Sequence, residues 1–277
     1  MGIKNPYKIE GPALISFSGG RTSGFMLWNI INAYGGKLPD DIFVCFANTG
    51  REIEQTLEFV KDCEKHWDIK IHWLELEIAD EKPMYRTKEV TFETASRNGE
   101  PFEDLIDKRK YLPNPGKRFC TEELKINVFK RFMREKYDSW FNVVGLRYDE
   151  PRRVANVKNR NNEKQRWISI APMYDAKHDI NDVKEFWEKQ NFDLKLINLN
   201  GRNPFGNCDL CFLKNLSHTT TVMRQRPDLA EWWIKQEKKV DSKFRADQRR
   251  YIDLLDISHS QKDFFDDGTG VDCFCHD

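Results

Sequence analysis

Neither sign of charge is in excess: 45 Lys and Arg stand against 45 Asp and Glu in 277 residues, a formal net charge of zero. Such a chain has no bulk field to gather nucleic acid or an anionic membrane surface, which leaves only local basic patches for that work. No apolar run approaches the roughly 20 residues that span a bilayer, and Met1-Gly2-Ile3-Lys4-Asn5-Pro6 carries no signal-peptide core. The expectation is a cytoplasmic protein with no membrane partner. Internal repeats and low-complexity tracts are missing too, which excludes solenoids and Gly/Ser-type linkers. Seven cysteines, an odd number, argue against a disulfide framework and for thiol, metal or redox chemistry.

What is present is an alternation of strand-like and helix-like segments. Ala13 to Phe17, Asp41 to Ala47, Lys70 to Glu77 and Phe141 to Leu146 read as strands. Helical spacing runs through Phe25 to Ile31, and again from Glu52 to Trp67 by way of Ile53, Leu57, Val60 and Cys63. The fold class is α/β, an open and mostly parallel sheet with helices on both faces, followed by a helical, cysteine-containing C-terminal region. A change of texture near residue 167 divides the chain into a nucleotide-binding domain over 1–166 and a C-terminal region over 167–277, with helices expected over Ile180 to Gln190, Leu216 to Gln225 and Leu229 to Val240. Asp80 to Lys117, punctuated by Pro83, Pro101, Pro113 and Pro115, reads as a long loop over the active edge.

Three junctions carry chemistry. Ser16-Phe17-Ser18-Gly19-Gly20-Arg21-Thr22-Ser23-Gly24 joins the first strand to the first helix. Gly19 and Gly20 permit a turn whose backbone N–H groups face one anion, Ser18, Thr22 and Ser23 supply hydroxyls, and the helix N-terminus adds positive partial charge. Asn48-Thr49-Gly50 follows the second strand, on the edge where an open sheet binds its ligands. Gly145-Leu146-Arg147-Tyr148-Asp149-Glu150-Pro151-Arg152-Arg153 follows a further strand and concentrates guanidinium forks suited to phosphate or sulfate oxygens. Each taken singly is also satisfied by a capped turn or a surface ion pair.

Taken in order, these segments resemble the phosphoadenosine phosphosulfate reductase family of PP-loop adenine-nucleotide enzymes. Ser18-Gly19-Gly20-Arg21-Thr22-Ser23 resembles that family's SGGKDS-type loop, with Arg21 and Thr22 in place of Lys-Asp. Asn48-Thr49-Gly50 resembles its DTG motif with Asn for Asp, and Arg147, Glu150 and Arg153 its GxRxxE segment. The stretch from residue 203 to Leu213 (NPFGNCDLCFL) resembles its late GCxxC region. The resemblance implies that Ser16, Ser18, Gly19, Gly20, Arg21, Thr22, Ser23, Asn48, Thr49, Gly50, Gly145 and Glu150 surround ATP or a related adenine nucleotide with Mg2+, and that Arg147 and Arg153 neutralise developing charge.

The cysteines add a second expectation. Cys208 and Cys211 form a CxxC pair able to chelate a metal or cluster. By resemblance to adenylylsulfate-type reductases, Cys120 joins them as ligands of a 4Fe-4S cluster, completed by Cys273 or Cys275; zinc and a metal-free redox dithiol are the alternatives. Cys45 and Cys63 read as strand and helix core, and Trp232-Trp233 as core or interface.

Three functions follow. The leading one is ATP-dependent, AMP-forming adenylylation of a small-molecule or nucleic-acid acceptor, coupled to sulfur transfer. The second is sulfonucleotide reduction, in which Cys273 or Cys275 of the tail is the nucleophile and a thiol protein the reductant. The third is a nucleotide-sensing module with structural zinc. A homo-oligomer is compatible with all three.

Overall fold

Strand β1 (Ala13–Ser16) is buried from Ala13 to Ile15 and sits at the centre of a six-stranded sheet. The computed structural model describes residues 5–161, 165–196 and 204–260. Helix α1 (Arg21–Ala33) leads to β2 (Ile42–Ala47), α2 (Glu54–Trp67), β3 (Ile71–Ile78) and β4 (Tyr85–Val90). Then come α3 (Glu100–Arg109), a single turn α4 (Phe119–Thr121), a π-helical turn (Glu122–Ile126) and α5 (Asn127–Arg134). Strand β5 (Trp140–Val143), α6 (Pro151–Lys158), β6 (Trp167–Ile170), α7 (Pro172–Asp175) and α8 (Ile180–Glu188) follow. The C-terminal helices are α9 (Leu216–Gln225), α10 (Ala230–Val240) and α11 (Tyr251–Ser260).

The sheet order is β4-β3-β2-β1-β5-β6, parallel throughout except for β4, which runs antiparallel to β3. The chain thus moves outward from β1 to one side and then returns to build the other. That reversal between β1 and β5 opens a crevice beyond the carboxyl ends of the strands.

Period-two alternation feeds two cores. On one face Ile15, Phe17, Val44, Phe46 and Trp73 meet Met26, Leu27, Ile30, Leu57, Val60 and Trp187 of α1, α2 and α8. On the other, Leu14, Cys45, Leu74 and Leu76 meet Phe102, Leu105, Leu124 and Val128, and the same cluster runs on into Leu210, Phe212, Trp233 and Phe244. Cys45, Cys63 and Trp233 are fully buried, so these residues are core as their sequence contexts predict.

Three elements differ from the sequence reading. The segment Asp80 to Lys117 is not one long loop, because it contains β4 and α3. Edge position hides the strand: Tyr85–Val90 buries only Val90, so its pattern has too few apolar residues to register. The helix expected over Glu122 to Lys136 is interrupted at its start by the π turn. The sheet also continues past residue 166, since β6 pairs in parallel with β5. No helix among the described residues is long and apolar enough to cross a membrane.

Candidate functional site

The turn after β1 is held from within. Gly19 has φ +73°, and a Cβ there would stand 2.8 Å from Thr56 Cγ2 and 3.0 Å from Val60 Cγ2, so the loop lies against α2 as only glycine permits. Ser23 is fully buried. Its hydroxyl accepts from the Ser18 and Gly20 backbone N–H groups at 3.2 and 3.3 Å, donates to the Gly20 carbonyl at 3.0 Å, and lies 2.8 Å from Ser18 Oγ. Ser23 therefore shapes the loop, whereas Ser18 lines the open cleft. Arg21 turns away to pair with Asp193, and its carbonyl accepts from Trp187 Nε1 at 2.8 Å.

Across the switch point, the loop after β5 meets this turn directly. Arg147 donates from Nη1 to Thr22 Oγ1 at 3.4 Å and from Nε to Asp149 at 2.9 Å. Glu150 accepts from the Arg147 backbone N–H at 3.1 Å and pairs with both Arg147 and Arg153, so one carboxylate orients two guanidinium groups. Gly145 is buried where the chain leaves β5. Between the two loops opens a cleft of about 520 Å³, entered past Ser16 and Ser18 and walled by Ala47, Leu146 and Arg153.

Sequence reasoning missed the depth of this cleft. It descends along the sheet face from Val144 past Asn142 to Trp140 and is roofed by Ile126, Phe129 and Lys130. Lys125, from the π turn, reaches its wall while lying 3.8 Å from Glu52, both side chains being buried. The run Glu122 to Lys136 shows ordinary helical spacing, so nothing in it marked Lys125; Asn142 was visible as a polar residue on the strand face that Leu14 occupies next door.

The second motif is spent internally. Asn48 is fully buried and donates to Glu75 Oε1 at 2.6 Å and to the Ser96 carbonyl at 2.8 Å, while Thr49 donates to Glu52 and lies 3.5 Å from Cys208 Sγ. Gly50, at φ +77°, packs on Gly99. The loop reaches the cleft only through Ala47. Its remaining partner is the CxxC segment: Arg51 pairs with buried Asp209, and the Arg51 carbonyl accepts from Asp209 N at 2.8 Å. Asp209 also accepts from Trp233 Nε1 at 2.8 Å. Burial raises the Asp209 carboxyl above its ordinary range, an effect opposed by Arg51.

Cys120, Cys208 and Cys211 all fall in the apolar cluster beneath this loop. Burial pushes the Cys208 thiol well up, with the Glu52 charge adding to it and Lys125 opposing. Among the described residues no group of three or more His, Cys, Asp or Glu side chains stands close enough to hold a metal ion. As arranged, these three thiols do not fit a cluster or a zinc ion, and no step below is routed through one. Cys273 and Cys275 lie outside the described residues.

Fold and site together define an α/β protein of the PP-loop class. The model of the phosphoadenosine phosphosulfate reductase domain matches residues 12–199, and the chain belongs to that family. Among curated relatives, the uncharacterized nin region protein ORF290 of Escherichia phage lambda is 30% identical over 214 residues, covering 73% of this chain and 66% of its own. An uncharacterized protein of Methanocaldococcus jannaschii is 30% identical over 235 residues, covering 83% of this chain and 42% of its own. The chain thus spans less than two thirds of either relative. Solved structures that it resembles are phosphoadenylyl-sulfate reductase from Candida auris in a phosphate complex (15% identity, 67% of this chain and 75% of that one, TM-score 0.41) and the U34-tRNA thiolase NcsA from Methanococcus maripaludis with its [4Fe-4S] cluster (17%, 90% and 74%, TM-score 0.44).

Proposed function

We propose that the protein binds ATP in the cleft between the loops after β1 and β5 and splits it between the α and β phosphates, activating an acceptor as its adenylate. The observation that carries this reading is the meeting of the Gly19-Gly20 turn with the Arg147, Glu150 and Arg153 network at the switch point of the sheet. Backbone N–H groups of the turn, with Ser18 and Thr22, would hold the pyrophosphate portion. An acceptor oxygen attacks the α-phosphorus, and the bond to the bridging oxygen breaks with its electron pair leaving on pyrophosphate. The acceptor's proton passes to solvent. Arg147 and Arg153 stabilise the charge gathered on the phosphate oxygens, which is where preorganised cations act most strongly. Mg2+ would travel with the nucleotide, since Glu122 is the one carboxylate on the described cleft wall. Displacement of AMP by a hydrosulfide-class donor would complete a redox-neutral sulfur transfer.

The family match favours a second reading, reduction of a sulfonucleotide. The two differ in substrate. Purified protein is offered ATP with pyrophosphate release as readout, and, in parallel, adenylylsulfate or its 3′-phosphorylated form with a thiol-protein reductant and no ATP. AMP and pyrophosphate in equal amounts support the first; sulfite production without ATP supports the second. Tight nucleotide binding with neither reaction supports a sensor.

A further inference from the structure

Most of this sheet buries hydrocarbon, yet one strip of it does not. On the face where β1, β2 and β3 present Leu14, Cys45 and Leu74, the adjoining strands present Asn142 and Ser169, which are register partners, and Ser16 closes the strip at the end of β1. All three line the cleft. The Asn142 side chain makes no hydrogen bond among the described residues, although a carboxamide can form up to four. An interior amide facing a cavity without a partner costs stability unless something fills the cavity and pairs with it.

The surroundings say what that something is. Above Asn142 the walls are Ile126, Phe129, Val144 and Val157, and Trp140 closes the far end. Trp140 is itself stacked against Trp167, with centroids 5.7 Å apart and planes 26° apart. A chamber with apolar walls, an aromatic end and a carboxamide floor suits a flat heterocycle offering a donor beside an acceptor. From Val144 to Trp140 the strand covers about 13 Å, which is room for a nucleoside entering base-first from the phosphate turn.

We propose that Asn142 receives the amino-bearing edge of the nucleotide's adenine, its oxygen accepting from the 6-amino group and its amide donating to the adjacent ring nitrogen, and is thereby the residue that selects the base. This pairing is the one asparagine makes with adenine in nucleic-acid recognition. The proposal rests on the nucleotide reading above and assigns the orientation of the nucleotide within the site.

The test uses three ligands, ATP, purine riboside triphosphate (which lacks the 6-amino group) and inorganic pyrophosphate, titrated calorimetrically into the full chain and into Asn142→Leu. Leucine matches asparagine in size and suits a strand with apolar neighbours, and a thermal melt verifies the fold. The expected result is a preference of the wild type for ATP over the deaminated analogue by about tenfold, abolished in the variant, with pyrophosphate affinity the same in both. A preference that survives in the variant, or an equal loss of pyrophosphate and ATP, overturns the role of Asn142 while leaving the nucleotide reading intact. A wild type that binds neither ATP nor pyrophosphate overturns both.

Discussion

At the scale of single residues, the phosphate turn depends on a glycine and a serine that do different work. Gly19 combines a positive φ with contact against Thr56 and Val60, so Gly19→Ala should cost about 1–3 kcal/mol in urea unfolding and weaken nucleotide binding in the same protein. A stability equal to wild type would show that the turn relaxes freely. Burial pushes the thiols of Cys45, Cys63 and Cys208 up. Unfolded thiols ionise near pH ~8.5 while the buried ones stay protonated, so these residues favour the folded state below that pH and lose that contribution as pH rises above it. Brief iodoacetamide treatment at pH 8 should accordingly label half-buried Cys120 first, read by peptide mass spectrometry; early labelling of Cys208 would mean that its loop opens. The turn residues were legible in the sequence because glycine and hydroxyl side chains between a strand and a helix have few other uses. The division of labour between Ser18 and Ser23 was not, since burial separates two chemically identical side chains.

Between elements, the strongest tie joins the loop after β2 to the CxxC segment through Arg51, Asp209, Trp232 and Trp233. Arg51 pairs with Asp209 and lies 5.1 Å from the Trp232 ring, and both charged side chains are buried. Removing one partner leaves the other charged and dry, so Arg51→Met should cost about 3–5 kcal/mol by chemical denaturation. The double substitution Arg51→Met with Asp209→Leu should recover a large part of that loss. Additive effects would mean that the pair is solvated. From the sequence, Asn48-Thr49-Gly50 read as a ligand loop, because position at a strand's carboxyl end is visible and side-chain direction is not. Its hydrogen bonds to Glu75, Glu52 and Ser96 come from elements 3 to 48 residues away along the chain. The edge strand β4 was hidden for a related reason: one of its faces has little to bury.

For the molecule as a whole, the C-terminal helices are structural. Phe212, Trp233 and Phe244 belong to the same cluster as Leu14, Leu74 and Phe102. A fragment ending at residue 203 should therefore expose that face, bind a hydrophobic dye and lose its near-ultraviolet dichroism; a monomeric, cooperatively melting fragment would show that the sheet and its first helices suffice. Alternation of apolar runs gave the parallel architecture and its central strands away, whereas the point of texture change near residue 167 marks a strand that is still part of the sheet. Composition changes there because β6 is half covered, not because a core ends.

The strip of Ser16, Asn142 and Ser169 sets how this molecule breathes. Where the other strands are sealed by hydrocarbon, β1, β5 and β6 enclose a hole, and their cohesion is borrowed from whatever fills it. Empty, those strands should be the first to open; filled, the guest serves as their missing core. Amide exchange followed with and without nucleotide would then slow most in β5 and β6, well away from the phosphate turn, and the substrate would act as a late-arriving piece of the fold.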